Sequence, residues 1–480
     1  MKKQLVLTHD QKMFIKDFVK AIKNDNAAIF AGAGLSIPSG TMSWPDLLKD
    51  VAEELKLSND TTTDMATMAQ YYENLKGSRA EISEIITSSF EEYIVPNINQ
   101  ELIAQLPIKT IWTTNYDDLL EQAYKKEYKK VLVKRSPTDF SLKGKNSDLI
   151  IYKMHGDVQQ PTKAIITKND YETYNDTHSV YTTALKGDLV EKKFLFIGFS
   201  FDDPNLNYVL ARIRALVGEH KPNHYFFIEK IKQANNESEA DFDLRKTKQN
   251  LKIKDLKRYG INAVLLESYA EITQILEVIK RMVNLNNIFI SGAKVTDREM
   301  ESLADQLIET VSGKLVTEGN MLTSGFGVGV GSRVIDAVIE TVSNNPWDKL
   351  DEHLKVYPFP QIKDTNWTLY RKEMLENVGI SIFFFGTKIE KKKCVVSTGM
   401  IEEFELAHEA GVKIVPVGCT GGASKQIFDT VMQNPKEYYG ENQKLIEQIN
   451  KLGSHTFKDG KDIDELAQLI LDTVSEMQKI

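Results

Sequence analysis

The segment Ala27-Ala-Ile-Phe-Ala-Gly-Ala-Gly-Leu-Ser36 constrains this chain more than any other stretch. An unbroken apolar run reads as a strand buried on both faces, which means a parallel sheet. It runs straight into Gly32-Ala33-Gly34. Glycines at the carboxyl end of such a strand let the backbone approach a pyrophosphate, and the N-terminus of a following helix favours negative charge. In a doubly wound sheet the carboxyl ends of the strands share one crevice. Two later strand ends carry polar groups suited to the same ligand, Thr113-Thr114-Asn115-Tyr116-Asp117 and Met154-His155-Gly156.

The rest of the chain alternates in the same way. Phe14, Ile15, Phe18, Val19 and Ile22 recur at helical spacing ahead of the first strand. Trp44-Pro45 opens a helix with Leu47, Leu48, Val51 and Leu55 on one face, and residues 45–105 read as a helical insertion placed to cap the site. Strands are expected at 108–113, 131–134, 148–154, 194–199, 224–229 and 261–267, and a helix at 269–283. The pattern stops at Asn284-Leu-Asn-Asn287 and a second series begins. Its strands are expected at 288–292, 321–325, 354–357, 380–385 and 413–417, with helices at 296–318, 332–343, 366–377, 400–410, 424–434, 441–452 and 462–478. The fold class is therefore α/β, with two Rossmann-like doubly wound parallel-sheet domains over 1–284 and 285–480. At 480 residues the chain is long enough for both.

Composition excludes several classes. Sixty basic against 68 acidic residues leave a net charge of −8, which is no footprint for nucleic acid or for an anionic membrane surface. No apolar run is long enough to span a bilayer, and the first residues lack the apolar core of a secretory leader, so a cytoplasmic protein is expected. Cys394 and Cys419 are the only cysteines, too few for a disulfide framework or a Cys-rich zinc site.

The strand-end residues suit cleavage of a nicotinamide–ribose bond. That reaction builds positive charge on the ribose while the pyridine departs neutral, so it needs no acid for the leaving group. Asn115 can position water or a ribose hydroxyl through an amide that donates and accepts. His155 can take a proton, since an imidazole titrates near operating pH. Asp117 can bind a ribose hydroxyl or orient its loop. Ala31, Gly32, Ala33, Gly34, Ser36, Thr114, Gly198 and Ser200 are the further candidates around the dinucleotide. Structural readings stand beside these: Asn-Tyr-Asp caps a helix well whatever its chemistry, and His155 is one of eight histidines.

In the second series, Ser291-Gly292 and Gly325-Phe-Gly327-Val-Gly329 lie at strand ends where backbone amides can cradle phosphates. Arg371 follows Pro358-Phe-Pro360, Lys388 follows the strand Ser381–Phe385, and Glu403 falls in the first turn of the helix after Gly399. Two cations suit a pyrophosphate and a carboxylate suits ribose hydroxyls. Alternatively, both cations are ordinary surface residues and Glu403 merely favours a helix N-terminus.

The motifs Gly32-Ala-Gly-Leu-Ser36, Thr114-Asn-Tyr-Asp117, His155-Gly156 and Gly198-Phe-Ser200 resemble, in order and spacing, those of the sirtuin family of NAD-consuming proteins over about residues 20–270. The family's two Cys-x-x-Cys zinc pairs are missing, and Thr41-Met-Ser-Trp-Pro-Asp46 stands where deacylases carry Asp-Phe-Arg. Both departures point away from an acyl-lysine substrate, towards water as acceptor, NAD+ as substrate rather than cofactor, and no zinc. The second half resembles the SLOG family of nucleotide-sensing modules. A sirtuin-like unit followed by SLOG is the layout of the effector family of the Thoeris anti-phage defence system. That resemblance implies NAD+ depletion on binding a cyclic ADP-ribose isomer made by a TIR-domain partner, and assembly as a homotetramer or larger. It implies Ser291, Gly292, Arg371, Lys388 and Glu403 as signal contacts, with Gly325, Gly327 and Gly399 beside them. A protein deacylase and a non-catalytic nucleotide-sensing scaffold are the competing readings.

Overall fold

The computed structural model describes residues 7–58, 62–89, 94–201, 210, 223–293, 298–326, 329–345, 348–359, 365–390, 393–456 and 458–479. It divides into two compact units, Met1–Lys280 and Arg281–Ile480, at a point inside the helix Glu271–Asn284.

The first unit is built on seven parallel strands: β1 (Ala27–Ala31), β2 (Thr110–Thr113), β3 (Val131–Lys134), β4 (Leu149–Lys153), β5 (Lys193–Ile197), β6 (His224–Glu229) and β7 (Ile261–Leu266). Their order is β3-β4-β2-β1-β5-β6-β7. The chain winds one way from β1 to β2 and the other way from β5 onward, so the topological switch lies between β1 and β5. Every residue of β1 is buried, as its apolar run requires. The helix His9–Lys23 that precedes it is closed by a Thr8/Gln11 capping box.

Two expectations need correction. No long helix follows the glycine turn. The chain makes two single 3-10 turns, Ala33–Leu35 and Ile37–Ser39, ended by Gly40 at φ +96°, so a helix dipole is not available there. Nor is 45–105 one cap. Leu47, Leu48, Val51, Met68, Tyr72, Ile82 and Ile86 form a small core of their own with Tyr116, Ala164 and Ile166. The helix Ile98–Gln105 instead packs on the helix Leu119–Lys126 beside the sheet.

The second unit has β8 (Asn287–Gly292), β9 (Met321–Phe326), β10 (Leu354–Pro358), β11 (Ile380–Phe384) and, after a hairpin, β14 (Lys413–Pro416). The five are parallel in the order β10-β9-β8-β11-β14, with the switch between β8 and β11. The hairpin, β12 (Thr387–Glu390) with β13 (Lys393–Val396), is antiparallel and carries Lys388. Its short, charged strands lack the apolar run that marks the others, which is why periodicity passes over it.

The glycines at the β1/β5 switch serve a crossing of two backbones. Gly32 N–H donates to Ile197 O and Gly34 N–H to Gly198 O, each at 2.9 Å. A Cβ on Gly32 would drive into Gly198 O, and one on Gly198 into Leu35 N. Gly198 also sits at φ +64°. Gly77, the C-cap of the helix Met65–Lys76, has nearly the same φ of +65° but open space around it. Gly77→Ala is therefore expected to cost about 1 kcal/mol from backbone strain alone. Gly198→Ala should cost about 3 kcal/mol or more, because overpacking adds to the strain. Denaturant unfolding of the two variants checks this; equal losses would mean that the close crossing does not matter.

Candidate functional site

Ser36 is the hub of the first site. Its side chain is buried, and its Oγ lies 3.1 Å from Asn115 Nδ2 and 3.2 Å from Gln100 Nε2. It is also hydrogen-bonded to the Asp117 carboxyl. The capping-box residues of the helix Ile98–Gln105 hold this segment down: Asn97 Nδ2 donates to Leu35 O at 2.8 Å and Ser39 Oγ to Gln100 Oε1 at 3.2 Å. Asn115 Nδ2 also donates to Gly32 O at 3.1 Å. Because Gly32 O can only accept, this bond fixes the amide's orientation. Both amide hydrogens are committed to the scaffold.

Asp117 is buried, and its Oδ1 accepts from Leu119 N–H at 3.2 Å. Burial pushes its carboxyl above the usual range, against the pull of Lys153 and the Ser36 hydrogen bond. Of its two anticipated roles, the geometry fits orienting the loop.

His155 stands level with Asn115. Thr113 pairs with Lys153 in the β2/β4 ladder, Met154 N–H reaches Thr113 O, and each candidate lies two residues beyond its strand end. The imidazole is buried, edge-on to Tyr171 at 5.4 Å and to Tyr174 at 6.4 Å. Tyr174 OH donates to Met154 O, which fixes that ring beside the imidazole, and Tyr116 OH donates to Ile165 O, which anchors the Asn115 loop. Thr114 is half-buried and Ala31 fully buried, while Ala33, Gly34 and Ser200 face outward. The structure thus draws Gly32, Gly34, Ser36, Asn115, Asp117 and Gly198 into direct contact and holds His155 on the adjacent strand tip.

In the second unit Ser291 Oγ donates to Glu403 Oε2 at 2.6 Å. Arg371 Nη1 donates to Glu402 Oε2 at 2.6 Å, with its Nε 3.6 Å from Glu403 Oε1. The guanidinium lies over the Trp367 ring at 5.5 Å, and Gly399 leaves it room, since a Cβ there would come within 2.7 Å of Nη2. Lys388 Nζ reaches Thr398 Oγ1 at 3.3 Å. Gly292 packs against Val330 and Gly325 beneath the Phe359 ring. Gly327 lies outside the described residues.

Two readings change here. Arg371 is mostly buried and already answered by two carboxylates rather than being an open cation. The helix Thr398–Glu409 begins earlier than expected, so Glu403 is a buried second-turn residue and not an N-terminal charge.

Residues 109–256 match the model of the SIR2-like domain, and residues 271–477 match that of the Sir2- and TIR-associating SLOG family. The chain is 39% identical over 468 residues to the protein named NAD(+) hydrolase ThsA of Bacillus cereus (strain MSX-D12), covering 96% of this chain and 98% of that one. The chain belongs to the ThsA family. A ThsA from Enterococcus faecium is 39% identical over 472 residues, covering 96% of this chain and 98% of its own. The protein named Defense-associated sirtuin 2 of Bacillus subtilis is 28% identical over 234 residues, which is 47% of this chain and 23% of that protein.

Within this ThsA-family chain the largest feature missed by sequence reasoning is Lys153, which is completely buried at the end of β4 and pairs with Asp157 at 2.6 Å. The available signal was a lysine closing an apolar strand with an aspartate four residues on, in Lys153-Met-His-Gly-Asp157. Asn97 and Gln100 were also missed, because helix capping explains them locally and hides their long-range bonds. Among the described residues no helix is long and apolar enough to cross a membrane.

Glu403 offers a pH test. Burial raises its carboxyl above the ordinary value, partly offset by Ser291 and Arg371. The unfolded chain would release that proton near pH ~4.3, the folded chain at higher pH. Between those values the folded state binds more protons, so stability falls as pH rises through the window. Glu403→Gln should flatten this fall, seen as a smaller loss in Tm between pH 4.5 and 7 by calorimetry. An unchanged slope would remove Glu403 as its source.

Proposed function

We propose that the first unit cleaves the nicotinamide–ribose bond of NAD+ with water as acceptor, releasing nicotinamide and ADP-ribose. The observation that carries this is the pairing of Asn115 with His155 at level tips of neighbouring parallel strands, in a chain of the ThsA family. Asn115, its donors engaged by Gly32 and Ser36, acts through Oδ1 as an acceptor that aligns water or a ribose hydroxyl. His155 takes the proton released as that oxygen attacks or as the ribose hydroxyl polarises. Buried Tyr174 and half-buried Tyr171 beside it keep bulk water from the oxocarbenium-like ribose.

The second unit is read as the control element. Its crevice of Ser291, Gly292, Gly325, Arg371, Lys388, Gly399 and Glu403 would take a cyclic ADP-ribose isomer supplied by a TIR-domain partner. The family model's description, which joins Sir2, TIR and SLOG, supports that role. Such a ligand switches the enzyme only by binding the active arrangement more tightly than the resting one, by about 5 kcal/mol for a near-complete switch. The activated protein, a homotetramer or larger assembly in the cytoplasm, would empty the infected cell of NAD+. On this reading NAD+ is the substrate and no zinc takes part.

His155→Ala and Asn115→Ala are each expected to lower nicotinamide release at least 100-fold while the chain still folds, with a lower Tm for Asn115→Ala because Gly32 O and Ser36 lose a buried partner. Arg371→Ala should leave NAD+ binding intact and weaken binding of the activating isomer at least tenfold by calorimetry. Wild-type turnover in either first-unit variant would overturn the catalytic assignment. Unchanged isomer affinity in the Arg371 variant would overturn the regulatory one.

A further inference from the structure

We infer that Lys153 is the positioning residue that holds Asn115 and His155 in register for the reaction. The inference rests on the hydrolase reading above and concerns how its two key side chains are held.

Lys153 is the last residue of β4, two before His155, and its side chain is fully buried. Its ammonium donates to Tyr116 O at 3.1 Å and Asp117 O at 2.6 Å, the two carbonyls that directly follow Asn115. It also meets Glu121 Oε1 at 3.3 Å and Asp157 Oδ2 at 2.6 Å. One cation therefore binds the Asn115 loop to the strand that carries His155.

The Lys153–Asp157 pair does a second thing. It closes a ring around Met154-His155-Gly156, so the histidine rides on a turn stapled at both ends. Gly156 makes that turn possible at φ +94°, and a Cβ there would come within 3.0 Å of Ala164 Cα. Asp157 is itself held by Arg135 Nε at 3.0 Å and by Gln159 N–H at 2.7 Å. Val158 N–H adds a third tie to the Asn115 loop, reaching Tyr116 O at 3.0 Å.

A buried cation in so many bonds is ill suited to proton transfer. Burial alone would lower the Lys153 pKa, but Glu121, Asp157 and Asp117 outweigh it and hold the ammonium charged. What such a residue can supply is geometry. Misplacing reacting groups by about 1 Å costs roughly 100-fold in rate.

The test uses the full-length chain, with nicotinamide release from NAD+ followed with and without each cyclic ADP-ribose isomer. Lys153→Met is expected to lower kcat about 100-fold with KM within about threefold of wild type. That variant leaves carboxylates buried without their cation and can fail to fold, so Asp157→Asn is the second arm. It keeps side-chain size but weakens the staple, and kcat should fall about tenfold with KM again unchanged. Leu189→Ala, in the core beside the start of β5 and away from the strand tips, serves as a stability control and should lower Tm without changing kcat. A kcat within about twofold of wild type in either folded variant would overturn the inference, as would a loss carried wholly by KM or an equal kcat loss in Leu189→Ala. His155→Ala separates the two claims. If it is inactive while the Lys153 and Asp157 variants keep kcat, only the positioning role fails; if it retains turnover, the hydrolase site itself is misassigned.

Discussion

Two backbones cross at the β1/β5 switch with no side chain between them, and the geometry of the first site descends from that crossing. Gly32 and Gly34 lie directly against Ile197 and Gly198, joined by two 2.9 Å hydrogen bonds. The crossing aims Gly32 O at Asn115 and brings Ser36 beneath the same amide. From there the order spreads outward to Gln100, Asn97 and Asp117. A larger residue at the crossing would push the strand tips apart, and the polar network above it would lose its anchor.

Electrostatics in this unit follow the same economy of space. Lys153, Asp157 and Glu121 are charged groups taken out of water, a situation that is tolerable only when each finds several partners. The partners come from four chain segments, the loop after β2, the helix Leu119–Lys126, Arg135 just beyond β3 and the loop after His155. Such a cluster adds little net stability compared with apolar packing, but it admits one arrangement and penalises others. The second unit uses a smaller version, with Ser291, Arg371, Glu402 and Glu403 meeting where β8 and the helix Thr398–Glu409 come together.

Much of this was legible from the residues. The apolar runs at 27–31, 194–197 and 380–384 announce buried parallel strands, and the places where glycine or a polar cluster follows them mark the strand tips. Asn115 and His155 stand out because each closes such a run. What stayed hidden depends on long-range approach. Nothing local in Gly32-Ala-Gly34 reveals that its partner is Gly198, more than 160 residues away. Nothing in Lys388 reveals a hairpin, since Thr387–Glu390 has neither an apolar run nor a turn dipeptide behind it. The start of the helix at Thr398 moves Glu403 from a helix entrance into the interior, a shift of two residues with a large effect on its surroundings.

The pairing of Arg371 with Glu402 and Glu403 has a consequence for recognition. An anion arriving there cannot simply be captured, because the positive charge is already satisfied. It must trade places with a resident carboxylate, and the free energy gained is the difference between two contacts of similar kind. On the proposed regulatory reading, selectivity would favour a guest that also offers hydroxyls to receive the displaced acid, and a bare inorganic phosphate would compete poorly with a sugar phosphate. The same exchange makes the interaction less responsive to ionic strength than attraction to an open basic patch would be.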